Sequence, residues 1–298
     1  MNVVFYLHDE PSAEAFERKL LWFRRRFRLV SYAELTAYLR GERELHGACH
    51  LTVDDGWLST YRVIFPVLKK YGVPMTIFVS PRVCRSGENF WYADYGDLPE
   101  ALLRRELVAR RLFDDELAAY PLDLIFKELP VDTLRALLSD VRRQCGLGPA
   151  ARAFVNADEV REMAASGLVE VGAHTMIHPV LANESAERSL AEISQSVEGV
   201  AELLDREVTA FAYPNGLGGV DFTQREADYA RRCGIRAAFS VDPGAVRPGL
   251  DMMALPRVGS LGRLRLGRLG LALPSLARQA DKRAAIRRHR LGGAAPFL

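Results

Sequence analysis

A short apolar strand pattern that runs directly into two adjacent carboxylates occupies residues 50–57, with the sequence HLTVDDGW. The apolar and β-branched residues at 51–53 predict a buried strand. Two carboxylates at the end of such a strand repel each other, and burying their charges is unfavourable unless a cation compensates them. A bound divalent metal ion is the simplest such cation.

A second polar segment follows another predicted strand more than a hundred residues later. The sequence GAHTMIHP spans residues 172–179 and follows an apolar run at 168–171. Each motif alone is weak, because Asp-Asp-Gly often marks a turn and histidines four residues apart can share a helix face. If the two strand ends are adjacent, one carboxylate and two imidazoles can bind a metal and leave a position for water. Together the motifs predict a metal-dependent hydrolase that uses zinc or another first-row metal.

Strand and helix patterns alternate along most of the chain. Predicted strands lie at 3–7, 51–53, 74–79, 168–171 and 208–213, and predicted helices include 58–71, 98–119 and 132–145. This alternation predicts an α/β fold with a barrel-like parallel sheet, and it places the active site at the carboxyl ends of the strands. We expect a catalytic domain at residues 1–260 with a helical insertion at about 84–155, followed by a basic tail at 261–298.

Charge and composition narrow the possible partners and the compartment. The net charge of +2 gives no general signal for nucleic-acid binding. Four cysteines without CxxC spacing predict free thiols in a reducing compartment, and the N-terminal sequence lacks the features of a signal peptide. These features predict a cytoplasmic protein. The tail carries nine Lys and Arg and one acid between residues 262 and 290, which is compatible either with peripheral contact with anionic lipids or with a solvated end.

The two motifs together resemble those of the NodB-homology polysaccharide deacetylases, carbohydrate esterase family four. The family's Thr-Phe-Asp-Asp-Gly motif corresponds to TVDDG at 52–56, and its His-Ser/Thr-x-x-His-Pro motif is complete at 174–179. The resemblance extends from about residue 3 to residue 260. It implies a distorted (β/α) barrel and metal-dependent removal of an N-acetyl group from an amino sugar. It further implies that Asp54 is the general base and that Asp55, His174 and His178 are the metal ligands.

The sequence departs from the family pattern at two places. The third motif, Arg-x-Pro-x-Gly, reads AYPNG at 212–216, so the arginine that would pair with the base is missing. Arg257 either supplies this charge or makes a structural pairing at the surface, and the backbone N–H of Tyr213 is a candidate oxyanion donor. The late Leu-x-His motif has no match near the C-terminus. However, YLHD at 6–9 resembles the N-terminal His-Asp of a subgroup that includes the poly-N-acetylglucosamine deacetylases. By this resemblance His8 is the general acid, the alternative being a buried structural histidine.

The sequence defines the substrate less closely than it defines the type of reaction. Trp91, in a cluster with Tyr92 and Tyr95, either forms a wall on which a sugar stacks or contributes to local packing, and Pro214 is a second candidate substrate contact. The predicted substrate is an N-acetylated amino sugar in a polysaccharide or in a lipid- or nucleotide-linked intermediate. Two alternatives remain, namely a hydrolase of a non-sugar amide or formamide and an inactive carbohydrate-binding relative. Retention of both the candidate acid and the candidate base argues against the inactive relative.

Overall fold

A single curved sheet of parallel strands organises the molecule. The computed structural model describes residues 1–113, 120–259 and 281–286. Within these residues the strands are β1 Val3–Leu7, β2 Arg28–Leu29, β3 Ala48–Val53, β4 Met75–Val79, β5 Val169–Ala173, β6 Ala210–Ala212, β7 Ala237–Phe239 and β8 Val258–Gly259. All residues of β3 and β4 are buried, which is typical of parallel strands covered on both faces. The predicted strands at 3–7 and 51–53 are confirmed.

The two edges of this sheet meet and close it into a barrel. The strand order is β7-β6-β5-β4-β3-β1-β8, and β2 pairs with β3. The segment that leads into β8 pairs Leu255 with Phe239 of β7, while β8 itself pairs with Phe5 and Tyr6 of β1. The last segment therefore bridges the first and last strands through short, irregular pairings. The predicted distorted (β/α) barrel is confirmed.

Helices surround the barrel and connect its strands. They are α1 Ala13–Arg26, α2 Tyr32–Leu39, α3 Phe65–Tyr71, α4 Pro81–Ser86, α5 Trp91–Asp94, α6 Glu100–Ala109, α7 Leu122–Phe126, α8 Val131–Gln144, α9 Ala157–Ala165, α10 Ala186–Leu204 and α11 Gln224–Arg232. Capping boxes fix the starts of α2, α9 and α11 at Ser31, Asn156 and Thr223. Apolar residues of α1, α9 and α10 pack into the barrel core, among them Phe16 and Val200.

Between β4 and β5 the chain forms α4–α9, of which α6, α7 and α8 supply most of a second apolar core. This core includes Leu103 of α6, Ile125 of α7 and Leu137 of α8. The predicted helix at 98–119 is wrong in length, because α6 ends at Ala109 and Arg111 adopts a left-handed backbone conformation. The last part of that prediction, residues 114–119, lies outside the described residues. Helix α8, predicted at 132–145, is confirmed within one residue at each end.

Part of the basic tail packs against the body of the protein. Residues 281–286 are helical, and Ile286 belongs to the second apolar core. Arg283 is 3% exposed and makes ion pairs with Glu128 and Asp221, both of them buried. The predicted apolar stretch at 269–273 and the arginines at 263–268 and 287–290 lie outside the described residues. Within the described residues, the helices are too short or too polar to span a bilayer.

Candidate metal centre and catalytic site

The two aspartates of the first motif lie where β3 ends. The backbone N–H of Asp54 donates to the Leu7 carbonyl oxygen at 3.0 Å, so this residue still follows the sheet. Asp55 and Gly56 then adopt left-handed conformations, with φ of 71° and 68°. A side-chain carbon at position 56 would come within 2.9 Å of Val79, so glycine is needed at this tight turn. The turn brings both carboxylates to the wall of one cavity.

The histidine motif forms a compact turn directly after β5. Thr175 and His178 have left-handed backbones, with φ of 62° and 57°, and the His178 N–H donates to the Thr175 hydroxyl at 3.1 Å. The Glu192 carboxylate of α10 accepts hydrogen bonds from the two backbone N–H groups between these residues, at 2.8 and 3.1 Å. The turn returns His178 to the side of the barrel on which His174 lies.

Asp55, His174 and His178 form a buried three-residue cluster. The Asp55 Oδ1 atom lies 3.3 Å from the Nε2 atom of His174 and 3.3 Å from that of His178. The candidate ligand atoms of the three side chains all lie within 4.8 Å of one another. Strands β3, β4 and β5 are successive neighbours in the sheet, so their carboxyl ends bring together residues that are more than a hundred positions apart.

The hydrogen bonding of this cluster fits a bound cation. The Nδ1 atom of His174 lies 2.7 Å from the Ala212 carbonyl oxygen, so Nδ1 carries the proton and Nε2 presents a lone pair. Asp55 Oδ1 and His174 Nε2 have no hydrogen-bond partner in the described part of the chain. Two lone-pair atoms that face each other in a buried site are stable when a cation lies between them. One carboxylate oxygen and two imidazole nitrogens are a donor set that can bind a first-row metal ion.

The charge of the Asp55 carboxylate suits metal binding, whereas the raised pKa of His174 favours a proton that a metal ion would have to displace. Burial raises the pKa of Asp55, but the adjacent histidines outweigh burial and hold this pKa well below its usual range. Burial lowers the pKa of His174, whereas its contacts with Asp55 and Asp54 raise it and prevail. For His178 burial prevails, and its pKa is lowered. The Asp55 carboxylate is therefore ionised at neutral pH, as a metal ligand must be.

Arg257 makes a buried, bidentate ion pair with the other carboxylate. Its two terminal nitrogens lie 2.7 and 2.8 Å from the two Asp54 oxygens, and Arg257 is 0% exposed. Two further hydrogen bonds hold the guanidinium, because Nε bonds the Ser240 carbonyl oxygen at 2.8 Å and Nη1 bonds the Thr52 hydroxyl at 3.1 Å. Burial raises the pKa of Asp54, but Arg257 outweighs burial and lowers it. Arg257, which directly precedes β8, thus supplies a positive charge beside Asp54, and its complete burial excludes a pairing at the surface.

A cavity of about 420 Å³ opens above these carboxylates, within the size range of small-molecule sites. His8 lines this cavity, is exposed, and packs edge-on against Tyr6 with ring centroids 5.6 Å apart. The charge of His8 contributes to lowering the pKa values of Asp54 and Asp55. The structure therefore excludes a buried structural role for His8, which lines the same cavity as Asp54, Asp55 and the two candidate ligand histidines.

The two predicted substrate contacts differ in their placement. Trp91 lines the cavity but is 6% exposed, stacks on Tyr95 at 6.1 Å, and belongs to the second apolar core. Its Nε1 atom donates to the His178 carbonyl oxygen at 3.4 Å. Pro214 is buried and is not among the residues that line the cavity. In this geometry Trp91 supports the cluster of Asp55, His174 and His178, and it offers little open surface on which a sugar could stack.

The structure does not place Tyr213 for its predicted role. Its backbone N–H donates to the Phe239 carbonyl oxygen at 3.2 Å, as part of the pairing of β6 with β7. Its ring stacks on Phe222 with centroids 3.7 Å apart, and its hydroxyl donates to the Met253 carbonyl oxygen at 2.9 Å. The N–H group that would hold an oxyanion is therefore already bonded within the sheet.

Three further residues of the cavity were missed by the sequence interpretation. The Trp57 Nε1 atom donates to Asp55 Oδ2 at 3.1 Å and so orients the carboxylate. The Tyr92 hydroxyl is buried beside the Asp55 carboxylate, and the Asn215 side-chain nitrogen is buried without a hydrogen-bond partner among the described residues. The sequence offered only indirect signals for them, because Trp57 and Asn215 belong to or adjoin the motifs and Tyr92 lies in the aromatic cluster around Trp91.

Comparisons with solved structures support the fold. IcaB from Ammonifex degensii is 22% identical, with a TM-score of 0.59 over 94% of this chain and 97% of that chain. The deacetylase PplD from Streptococcus pyogenes, solved with acetate, is 16% identical, with a TM-score of 0.57 over 88% and 92% of the two chains. A de-N-acetylase from Aggregatibacter actinomycetemcomitans is 15% identical, with a TM-score of 0.55 over 93% and 98%. No curated protein sequence matches the chain.

A family-level comparison agrees with these folds and with the motifs. The model of the polysaccharide deacetylase family matches residues 43–238, which include both motifs that carry the candidate metal ligands and the segment between them. That range covers well over half of the 298 residues. The chain belongs to the polysaccharide deacetylase family.

Proposed function

We propose that the protein is a metal-dependent deacetylase that hydrolyses the N-acetyl group of an amino sugar. The observation that carries this proposal is the cluster of Asp55, His174 and His178, which shares a cavity with the Asp54–Arg257 ion pair. A site for non-catalytic sugar binding would need neither a cation nor a buried base. Membership of the polysaccharide deacetylase family supports the carbohydrate substrate class.

Asp55, His174 and His178 would hold the metal, and zinc is our first choice because it accepts this mixed donor set with an open position. Such an ion, when bound, polarises the acetyl carbonyl group and makes a water molecule more acidic. The chain's own contribution is to orient the three ligands. Trp57 fixes the Asp55 carboxylate, and the Ala212 carbonyl oxygen fixes the His174 ring.

Asp54 would act as the general base. The carboxylate is ionised because Arg257 lowers its pKa, and it lies beside Asp55 on the cavity wall. The bidentate contact also restrains its orientation, so that a water molecule in the cavity meets a fixed acceptor. Arg257 thus acts as a positioning residue that keeps the base charged.

His8 would act as the general acid. It is reached by solvent, lines the same cavity, and has the side-chain type that most often acts as a general acid. In the proposed reaction Asp54 takes a proton from the attacking water, the C–N bond breaks, and His8 gives a proton to the departing amine. The products are acetate and a free amino sugar.

One assay tests this function against its alternatives. Metal-loaded protein is incubated with N-acetylglucosamine oligomers, with sugar nucleotides that carry an N-acetyl group, and with simple formamides, and release of acetate and formate is measured. We expect acetate from at least one sugar substrate and its loss on chelation. Formate alone would favour the formamide hydrolase, and no product from any substrate would contradict the proposed enzyme. The same series separates a polymer from a biosynthetic intermediate as the substrate.

A further inference from the structure

One basic side chain on the wall of the cavity has no role in the proposed mechanism. Lys127 directly follows helix α7, is partly buried, and lines the same cavity as Asp54 and Asp55. Of the described residues that line this cavity, it is the only lysine or arginine. The side chains of Asn183 and Arg283 donate to its carbonyl oxygen at 2.7 and 3.5 Å, but its ammonium group has no hydrogen-bond or ion-pair partner within the described residues. The cavity therefore contains an unpaired positive charge.

The carboxylates nearest to this charge do not serve as its counter-ion. Burial is the largest influence on the Lys127 ammonium group and lowers its pKa. The negative charges that oppose this effect are those of Asp221, Asp123 and Glu128, and they do not outweigh burial. Asp221 and Glu128 both form ion pairs with Arg283, and Asp123 makes no ion pair with Lys127 among the described contacts. An ammonium group held partly out of water without a counter-ion is unfavourable, so an anion from outside the chain would stabilise it.

The Lys127 charge acts at the catalytic end of the cavity. Burial is the main cause of the lowered pKa of His178, and the positive charge of Lys127 acts in the same direction. A sugar bound with its acetyl group beside His178 therefore lies within the electrostatic range of this ammonium group. One molecule of substrate can meet both the candidate metal centre and Lys127.

Lys127 comes from a different part of the chain than the candidate catalytic residues. The candidate metal ligands and the base follow strands β3 and β5, whereas α7 belongs to the helical segment between β4 and β5. The ion pair of Glu128 with Arg283 holds the residue next to Lys127, and the Lys127 N–H donates to the Asp123 carbonyl oxygen at 3.3 Å. The helical segment thus provides a firmly held wall that can select the substrate, while the strand ends carry out the reaction.

We propose that Lys127 is a specificity-determining residue that binds a phosphate group on the substrate. Lysine binds phosphate as a compact point charge, and phosphate is the anionic group that nucleotide-linked and lipid-linked amino sugars share. A neutral N-acetylglucosamine polymer would leave the ammonium group unpaired. The inference rests on the proposed deacetylase function, and it narrows the substrate to an N-acetylated amino sugar that carries a phosphate group.

The test compares acetate release from N-acetylglucosamine 1-phosphate with release from methyl N-acetyl-α-glucosaminide, its neutral counterpart. For the metal-loaded wild-type protein we expect a higher kcat/KM with the phosphate. In Lys127→Met this preference should fall about 10–100-fold, mainly through KM, because a charged hydrogen bond to the substrate is lost. Lys127→Arg should keep most of the preference, because it keeps the charge. Lys69→Met is the matched control, since Lys69 is exposed and does not line the cavity.

Direct binding separates this role from a structural one. Calorimetry with zinc-loaded Asp54→Asn measures the affinity for N-acetylglucosamine 1-phosphate without turnover, and adding Lys127→Met should weaken that affinity about 10–100-fold. Added KCl should weaken binding of the phosphate more than binding of the neutral sugar. The zinc affinity and the melting temperature should be the same with and without Lys127→Met, because the ammonium group has no partner in the described part of the chain.

Several outcomes would overturn the inference while leaving the deacetylase intact. These are equal kcat/KM for the two sugars in the wild type, an unchanged preference in Lys127→Met, and a lower melting temperature of that variant. A preference for N-acetylmuramic acid over the phosphate would replace phosphate by a carboxylate and overturn the proposed substrate class.

Two larger substrates identify the source of the phosphate. A selective loss in Lys127→Met with UDP-N-acetylglucosamine, or with a polyprenyl-diphosphate-linked N-acetylglucosamine, would support the inference and assign the substrate to a nucleotide-linked or a lipid-linked sugar. Failure of the wild-type protein to release acetate from any sugar would overturn the deacetylase proposal and this inference with it.

Discussion

Removing the guanidinium group of Arg257 is expected to destabilise the protein strongly. In Arg257→Met the Asp54 carboxylate, which is 3% exposed, would lose both charged hydrogen bonds. The Ser240 carbonyl oxygen and the Thr52 hydroxyl would each lose a partner as well. Breaking a buried ion pair from one side typically costs about 3–5 kcal/mol, because the other charge stays buried and uncompensated. Because the free energy of unfolding of native proteins is about 5–15 kcal/mol, the variant should still fold but should unfold at a much lower urea concentration.

A double-mutant cycle makes this expectation sharper. Urea unfolding of metal-free protein at neutral pH would be measured for Arg257→Met, for Asp54→Asn and for the double variant. The double variant should be more stable than Arg257→Met alone, because no unpaired charge remains buried. Arg257→Lys is the matched control for charge, and we expect it to recover only part of the stability, since one ammonium cannot bond both Asp54 oxygens in the same way. A loss below about 1 kcal/mol in Arg257→Met, or strictly additive effects, would refute the reasoning.

Three other perturbations give distinct readouts. Asp54→Asn should retain metal by elemental analysis but lose about 10²–10⁴-fold in acetate release, whereas His174→Ala should lose both; a fully active Asp54→Asn enzyme would refute its role as base. Burial lowers the pKa of His50 to about 4. We therefore expect the neutral His50 side chain to contribute about 3 kcal/mol to the free energy of unfolding above pH 6.5, and we expect this contribution to be lost as the pH falls towards 4. That loss should be absent in His50→Gln. If the stability of this variant depended on pH as that of the wild type does, His50 would not be its cause. Arg283→Met should lower the free energy of unfolding by about 3–5 kcal/mol, because it removes the cation that pairs with two buried carboxylates. If deletion of residues 281–298 left the free energy of unfolding unchanged, this packing would not stabilise the body.

The part of the site that the sequence predicted is the part that short motifs encode. Asp55, His174 and His178 come together because each directly follows, or lies within a turn of, the end of a parallel strand, and neighbouring strands end at the same side of the barrel. The spacing of apolar residues was enough to predict β1, β3 and the barrel. For these features local pattern and overall topology point to the same answer.

Other features depend on contacts that no local pattern encodes. Whether Arg257 meets Asp54 depends on how the irregular segment before β8 closes the barrel, and the two residues are 203 positions apart. The Tyr213 N–H is unavailable because β7 pairs with β6, which a motif alone cannot show. The apolar periodicity predicted too long a helix at 98–119, because such a pattern gives no sign of the left-handed backbone conformation of Arg111.

The central claim, that Asp55, His174 and His178 jointly bind one cation, can be tested most directly by anomalous diffraction. Crystals of zinc-loaded protein would be measured on both sides of the zinc absorption edge. We expect one strong peak per chain, about 2.0–2.2 Å from a carboxylate oxygen of Asp55 and from one ring nitrogen of each histidine. A peak bound elsewhere, or no peak among these three side chains at saturating zinc, would contradict the account.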